Sequence, residues 1–227
     1  MRNAGDKRLA ALFERPTLEV APALLGLHLV RTGPAGQPSR TGRIVEVEAY
    51  LGPADQASHA RFGETPRSRP MYGRAGTAYV YLVYGMYRCL NVVTGPLGTP
   101  HAILVRAVEP LTGIEQIRHA RLAAERRVHR SWSAQDDARA SARIGAIAAD
   151  RLARGPGLVG AAFDVELAMT GSDLLDPAAA LHLEGASADK PAGTIEASPR
   201  VGIAFAGRPW TEQPWRFALV GHPSVSG

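Results

Sequence analysis

Arg43-Ile-Val-Glu-Val-Glu-Ala-Tyr50 is the stretch around which the rest of the chain arranges itself. It alternates as a strand with one face in a core: Val45, Val47 and Ala49 point one way, and Ile44, Glu46, Glu48 and Tyr50 the other. Two carboxylates and a tyrosine then share a face. Carboxylates are poor strand formers and costly to bury unpaired, so that face must use them or solvate them.

A second run, Ala78-Tyr-Val-Tyr-Leu-Val-Tyr-Gly-Met-Tyr-Arg-Cys-Leu-Asn-Val-Val-Thr94, reads as two apolar strands meeting near Tyr84-Gly85-Met86. Gly85 is free to take a positive φ, which predicts a tight hairpin with Tyr84 at or beside its tip. Tyr79, Tyr81 and Val83 share one face of it. A tyrosine at an exposed tip has little of its own domain to bury against, which makes it a candidate probe of another molecule.

Elements of both kinds surround these strands. Residues 1–15 are polar and basic with a helical stripe of Leu9, Leu12 and Phe13, and 1–12 are expected as a flexible N-terminal extension. Thr17 is the expected N-cap of a helix over 18–25 that Gly26 stops. Strands are expected at 27–31 and 101–108, with a turn-rich loop at 33–39 between 27–31 and the Arg43 strand. Helices follow at 114–129 and 138–152, joined by a polar link over 131–137, and a short third helix follows Gly155-Pro-Gly157. Short strands are expected at 181–184, 201–205 and 216–220. With no internal repeat and no linker, residues 1–227 read as one α+β domain with a mostly antiparallel sheet.

The net charge of +5 and the isoelectric point of about 9.8 favour an anionic partner such as nucleic acid. Only Lys7 and Lys190 are lysines; arginine, which forks well onto phosphate, supplies the rest. The long segment 51–77 carries Arg61, Arg67, Arg69 and Arg74, which could follow a phosphate backbone or belong to a solvated surface loop. A single cysteine, Cys89 in an apolar strand, excludes an internal disulfide and a thiolate metal cluster and reads as a buried reduced thiol. No apolar run reaches membrane-spanning length and no signal segment is evident, so a cytoplasmic protein is expected, nucleoid-associated if bacterial.

Tyrosines facing a glutamate suit a flat aromatic ligand that leaves as a base. Stacking is worth about 1–3 kcal/mol per base, and a carboxylate can take a proton from water or steady an oxocarbenium-like centre. Those ingredients fit cleavage of an N-glycosidic bond. On their own the residues leave other readings open. The tyrosines could be sheet packing. Glu46 and Glu48, about 7 Å apart, could be a wet face or an inverting pair acting on free nucleosides or sugars. The whole could be a catalytically silent lesion- or RNA-binding module that uses the tyrosines as stacking platforms.

Longer motifs decide between them. Residues 43–53, His59, Thr65-Pro-Arg67, Tyr79-Val-Tyr81, Tyr84-Gly-Met-Tyr87, Asn91-Val-Val and Leu104-Val-Arg-Ala-Val-Glu-Pro110 resemble, in order and spacing, the alkyladenine (3-methyladenine) DNA glycosylase family. Ala153-Arg-Gly-Pro-Gly157, Ser198-Pro-Arg-Val-Gly-Ile203 and Pro214-Trp-Arg-Phe217 extend the likeness from about Phe13 to the C-terminus. The resemblance implies a curved, mostly antiparallel sheet flanked by helices, with a protruding hairpin that enters the DNA minor groove. It implies a monomer that excises alkylated purines from double-stranded DNA by base flipping, without metal or cofactor. Glu48 is then the base that activates water, and Arg106 lies beside that water and the target phosphate. Tyr50, His59 and Tyr81 wall the pocket, Asn91 at its floor disfavours guanine, and Tyr84 fills the vacated space. Arg67, Arg69 and Met71 are expected on the DNA.

The implied roles have physical reasons. A base inside a duplex must be turned out at a cost of a few kcal/mol, and a wedge at a hairpin tip offsets the unstacking. Alkylation at N3 or N7 makes the purine cationic, and facing tyrosines favour a cation by on the order of 0.5–2 kcal/mol per contact. Neither lysine is near the Glu48 or Tyr81 strands in sequence, so no amine is expected for a Schiff base and the enzyme is expected to be monofunctional. Departures from the family pattern are Leu158 and Ala161 where Lys and Gln are usual, Ser68 in place of Asn, and a longer segment at 126–143. Leu158 and Ala161 remove a phosphate or pocket contact expected from that helix.

Overall fold

The computed structural model describes residues 4–33, 39–185 and 193–226. Most of the 33–39 loop, and Lys190, therefore lie outside the described residues. The long strand β2 (Arg40–Leu51) is the spine of one curled antiparallel sheet. One edge of it pairs with β5 (His101–Thr112) throughout. Its other edge pairs first with β1 (His28–Arg31) and then, at Glu46–Glu48, with β8 (Arg216–Leu219). The hairpin β3 (Ala78–Val83) and β4 (Tyr87–Thr94) continues the sheet beyond β5. Two further short strands, β6 (Leu181–Glu184) on β1 and β7 (Ile195–Ser198) on β8, complete it. The fold is α+β, as expected.

One face of the sheet carries the main core. Val45, Val47, Ala49, Ala78, Val80, Leu90, Val92, Ile103 and Val105 pack there against α1 (Ala4–Phe13), α2 (Thr17–Leu24) and α5 (Pro156–Ala162). Leu9, Leu12 and Phe13 are buried in this core. Across the sheet a small cluster of Ala60, Met71, Tyr79, Val93 and Ala102 lies under segment 52–77. The period-two pattern thus separates core from site, with one exception. The β2–β5 register shifts between Ile44 and Glu46, and Ile44 joins Val45 in the main core. A bulge places two successive residues where alternation allows one.

Several boundaries differ from expectation for identifiable reasons. Thr17 does not cap its helix: it is buried, and its hydroxyl bonds Thr94 Oγ1 and His101 Nδ1, each at 3.0 Å, tying α2 to the ends of β4 and β5. After α3 (Ile114–Val128), helix α4 (Ala134–Gly145) begins earlier than 138. Ser133 and Asp136 there form a reciprocal capping box, and Trp132 Nε1 donates to Asp137 at 3.0 Å. Residues 201–205 are not a strand; they are bend and a single 3-10 turn, while the unexpected strand β7 lies at Ile195–Ser198.

At the hairpin tip Met86 N donates to Val83 O at 3.1 Å, and both central residues have positive φ, Tyr84 at 51° and Gly85 at 70°. Gly85 was the expected left-handed residue. Tyr84 shares that conformation, which for a side chain costs about 1–2 kcal/mol, and it is 85% exposed.

Helix α5 holds the base of the hairpin through glycine. A Cβ on Gly160 would stand 1.8 Å from the Arg88 carbonyl oxygen, and one on Gly157 would stand 2.8 Å from the Tyr87 ring. Backbone cannot rotate away as a side chain can. Gly160→Ala is therefore expected to lower stability by about 1–3 kcal/mol or more, read as a fall in the urea midpoint.

Candidate active site

The face of β2 opposite the core opens into a cavity of about 550 Å³ between the hairpin, segment 52–77 and the loop after β7. Glu48, Tyr50, His59, Tyr81, Asn91 and Arg106 all line it. Tyr79, Cys89 and Val201 complete the inner wall, and Tyr84 and Phe205 stand at the mouth.

Glu48 is fully buried and held by three donors. Tyr50 Oη donates to Oε2 at 2.8 Å, the Val201 amide to Oε1 at 2.7 Å, and Arg106 Nη1 lies 3.2 Å from Oε1. A carboxylate offers about four acceptor sites, so one on Oε2 remains for a further donor. Glu46 is equally buried yet differently employed. It accepts from Arg106 Nε (2.9 Å), Arg216 Nε (2.7 Å), the Ser226 amide (2.7 Å) and the Ser226 hydroxyl (2.9 Å). Burial alone would raise its pKa, but the Ser226 hydroxyl, Arg106 and Arg216 outweigh that and lower it. Glu46 does not line the cavity. The pair-of-acids reading on free nucleosides thus loses its second acid.

Arg106 joins the two carboxylates. Its own burial would lower its pKa, and Glu48 and Glu46 together raise it. Tyr50 is pushed well above the usual phenol range by burial and by the Glu48 charge, so it stays a donor.

The opposite wall is aromatic. Tyr79 and Tyr81 lie 5.6 Å apart between ring centres, and His59 meets Tyr81 edge-on at 4.4 Å. His59 Nδ1 contacts Tyr79 Oη at 2.8 Å and Arg67 Nη2 reaches Nε2 at 3.3 Å. Arginine has no acceptor, so Nε2 accepts and the proton sits on Nδ1. Asn91 Nδ2 donates to the Tyr79 carbonyl at 3.0 Å, across the hairpin, which orients the amide among the residues lining the cavity. Sheet bonding and a place in the cavity are both true of this residue. Burial pushes the Cys89 thiol up to about 11, as befits an unreactive thiol.

The expected outer contacts divide. Tyr84 stands free at the tip, with Leu82 and Met86 also exposed beside it. Arg67 lies over the Tyr81 ring at 5.6 Å and belongs to the cavity wall. Arg69 is on the surface, paired with Glu64 at 3.0 Å. Met71, expected on the DNA, is only 2% exposed and packs beneath the cavity with Ala60 and Tyr79. Its 3-10 turn (Arg69–Tyr72) turns that side chain inward. Phe205 at the mouth and Phe62 are both exposed, with the Arg61 guanidinium 5.5 Å and 4.5 Å from their respective ring centres.

Sequence reasoning passed over Asp55, Arg200 and the Val201 amide. Arg200 and Val201 lay inside a quoted motif, Ser198 to Ile203, and the acid of Asp55 in an otherwise weakly patterned loop was the other available signal. Among the described residues no group of three or more His, Cys, Asp or Glu is placed to hold a metal, and no helix is long and apolar enough to cross a membrane.

Burial, Arg67 and Arg61 lower the His59 pKa to about 4. Its folded value lies below the ordinary value of about 6.5, so the unfolded chain takes the proton first. The stability contribution is complete above about pH 6.5 and is lost as pH falls from there through about 4. An NMR titration is expected to show His59 neutral across pH 5–8 with a midpoint near 4.

A sequence profile of the family described as methylpurine-DNA glycosylase matches residues 11–223. A protein of Bacillus cereus (strain AH820) named "Putative 3-methyladenine DNA glycosylase" is 40% identical over 220 residues, covering 95% of this chain and 97% of its own length. One of the same name from Methanocella arvoryzae is 41% identical over 214 residues, covering 94% of this chain and 92% of its own. By profile and by relatives alike, the chain belongs to the methylpurine-DNA glycosylase family.

Proposed function

We propose that the protein is a monofunctional DNA glycosylase that turns alkylated purines out of double-stranded DNA and hydrolyses their N-glycosidic bond. The observation that carries this is a buried carboxylate with one unfilled acceptor site among the residues lining a tyrosine-walled cavity, with an exposed tyrosine at its mouth. Family membership and the names of the relatives support 3-methyladenine and related lesions as the substrate class.

In this reading Tyr84 enters the minor groove and occupies the space of the extruded nucleotide, while exposed Leu82 and Met86 extend the wedge. The flipped purine lies among Tyr50, Tyr81 and His59. A water bound at the remaining Glu48 acceptor site attacks C1′ of the deoxyribose. Its proton passes to Glu48, the C1′–N9 bond breaks, and the bonding pair returns to the purine. An N3- or N7-alkylated purine is cationic in DNA and leaves neutral, so it needs no acid. His59, held neutral and donating to Tyr79, is a wall and a hydrogen-bonding partner rather than a proton source. That favours cationic lesions over neutral ones such as hypoxanthine.

Arg106 keeps Glu48 next to a positive charge, and in this reading it lies beside the attacking water and the target phosphate. In this reading Asn91, fixed by the Tyr79 carbonyl and lining the cavity, meets the edge of the base and disfavours the guanine 2-amino group. No described residue lining the cavity is a lysine, which supports hydrolysis without a Schiff base. The exposed arginines Arg69 and Arg74 and the net charge of +5 suit a phosphate backbone.

Glu48→Gln is expected to cut single-turnover release of 3-methyladenine from methylated duplex DNA by about 10²–10⁴-fold while leaving lesion binding within about threefold. A wild-type enzyme that releases no alkylated purine would sink the proposal in favour of a silent binding module. In the Glu48→Gln background, Tyr84→Ala is expected to weaken lesion-duplex binding about tenfold, a loss of about 1.4 kcal/mol. Borohydride is expected to trap no covalent adduct.

A further inference from the structure

A second buried ion pair stands behind the cavity wall. Arg200 donates to both Asp55 oxygens at 2.6 and 2.9 Å, and neither side chain is exposed. The same guanidinium donates to the Ala49 carbonyl of β2 at 2.9 Å and lies 4.7 Å from the centre of the Tyr50 ring and 4.8 Å from that of Trp215. Asp55 also accepts the amides of Leu51 (3.2 Å) and Ala57 (2.9 Å), so the pair joins the end of β2 to the loop after β7. Arg200 Nε is buried without a partner. A carboxylate and guanidinium taken so far from water are costly to maintain, and simple packing could fill that space with apolar side chains.

What the pair accomplishes is visible in its neighbours. The residue after Arg200 is Val201, whose amide donates to Glu48 Oε1 at 2.7 Å. The ring under the guanidinium is Tyr50, whose hydroxyl donates to Glu48 Oε2 at 2.8 Å. Arg200 thus borders both uncharged donors that orient the carboxylate. We propose that Arg200, clamped by Asp55, is a positioning residue for Glu48, fixing the plane of its carboxylate toward the reacting carbon. Without the clamp the 199–203 loop and the Tyr50 ring are free to shift, and Arg106 alone holds the carboxylate. The inference rests on the function proposed above. Misplacement of a reacting group by about 1 Å costs about 10²-fold in rate.

The test uses the full chain with Asp55→Asn, Arg200→Lys and Trp215→Leu. Single-turnover release is measured at saturating enzyme on a duplex containing one 7-methylguanine. Affinity is measured separately in the Glu48→Gln background, and exchange of the Val201 amide is followed by NMR. Asp55→Asn and Arg200→Lys are expected to slow release by about 10- to 100-fold, with affinity within about twofold and faster Val201 exchange. Trp215→Leu keeps the ion pair and lies at the partly exposed edge; a smaller loss of about three- to tenfold is expected, and this variant carries the test if the other two do not fold. Release within twofold of wild type in folded variants overturns the proposal, as does a parallel fall in rate and affinity. If wild type releases no purine, the functional reading fails instead. Unchanged Val201 exchange in the variants then overturns the positioning role by itself.

Discussion

Everything at the site depends on a guanidinium held between two buried carboxylates. Arg106 reaches Glu46 through Nε at 2.9 Å and Glu48 through Nη1 at 3.2 Å. Removing charge from water costs several kcal/mol per ion, so each member must be matched by partners and none can be taken away cheaply. Glu46 carries most of the anchoring, drawing Arg216 of β8 and Ser226 near the C-terminus onto the same strand. Glu48 is left with fewer fixed donors and one acceptor site unfilled, and it lines the cavity while Glu46 does not. Anchoring by one acid makes the other available.

The tertiary arrangement around this triad explains why the site can be both buried and reactive. A curled sheet puts its apolar face on α1, α2 and α5 and its polar face against segment 52–77, which has few regular elements of its own. That segment is held to the sheet by local bonds, Asp55 to the Leu51 and Ala57 amides, Ser68 to the Gly63 carbonyl and Thr65 amide, and Met71 beneath the cavity. It therefore behaves as a wall that places His59 against Tyr81 and Tyr79. Ser68 is fully buried and serves this loop internally. Leu158 and Ala161 line a separate cavity of about 320 Å³ beside α3, where Arg88, Arg121, Arg127 and Arg143 also stand. Positive charge persists on that side of the hairpin although the helix itself contributes none.

How much was legible depended on whether a feature was local. The alternation of 43–50, the glycine at the hairpin tip and the aromatic faces of 78–94 are properties of a few adjacent residues, and the sheet and the cavity wall follow from them. Strand β7 was missed because its pattern is only four residues long, and the bend at 201–205 was misread because its bonding partner is distant: the Val201 amide goes to a carboxylate 153 residues away instead of to a ladder. Thr17 was misread for the same reason, since its hydroxyl serves Thr94, 77 residues on, and leaves the helix end uncapped.

Glu46 and Glu48 mark the limit most clearly. By sequence they are the same residue on the same face of the same strand, and pattern alone made either a candidate. The chain by itself determined that two acids and a tyrosine would face away from the core, that a tyrosine would stand at a hairpin tip, and that arginine would supply nearly all the positive charge. Only the tertiary structure decided which acid is anchored and which faces the cavity, because the choice is made by Ser226, 180 residues from Glu46, and by the loop that carries Val201. Side-chain period is a property of one strand; the donors that satisfy a buried charge come from wherever the fold brings them.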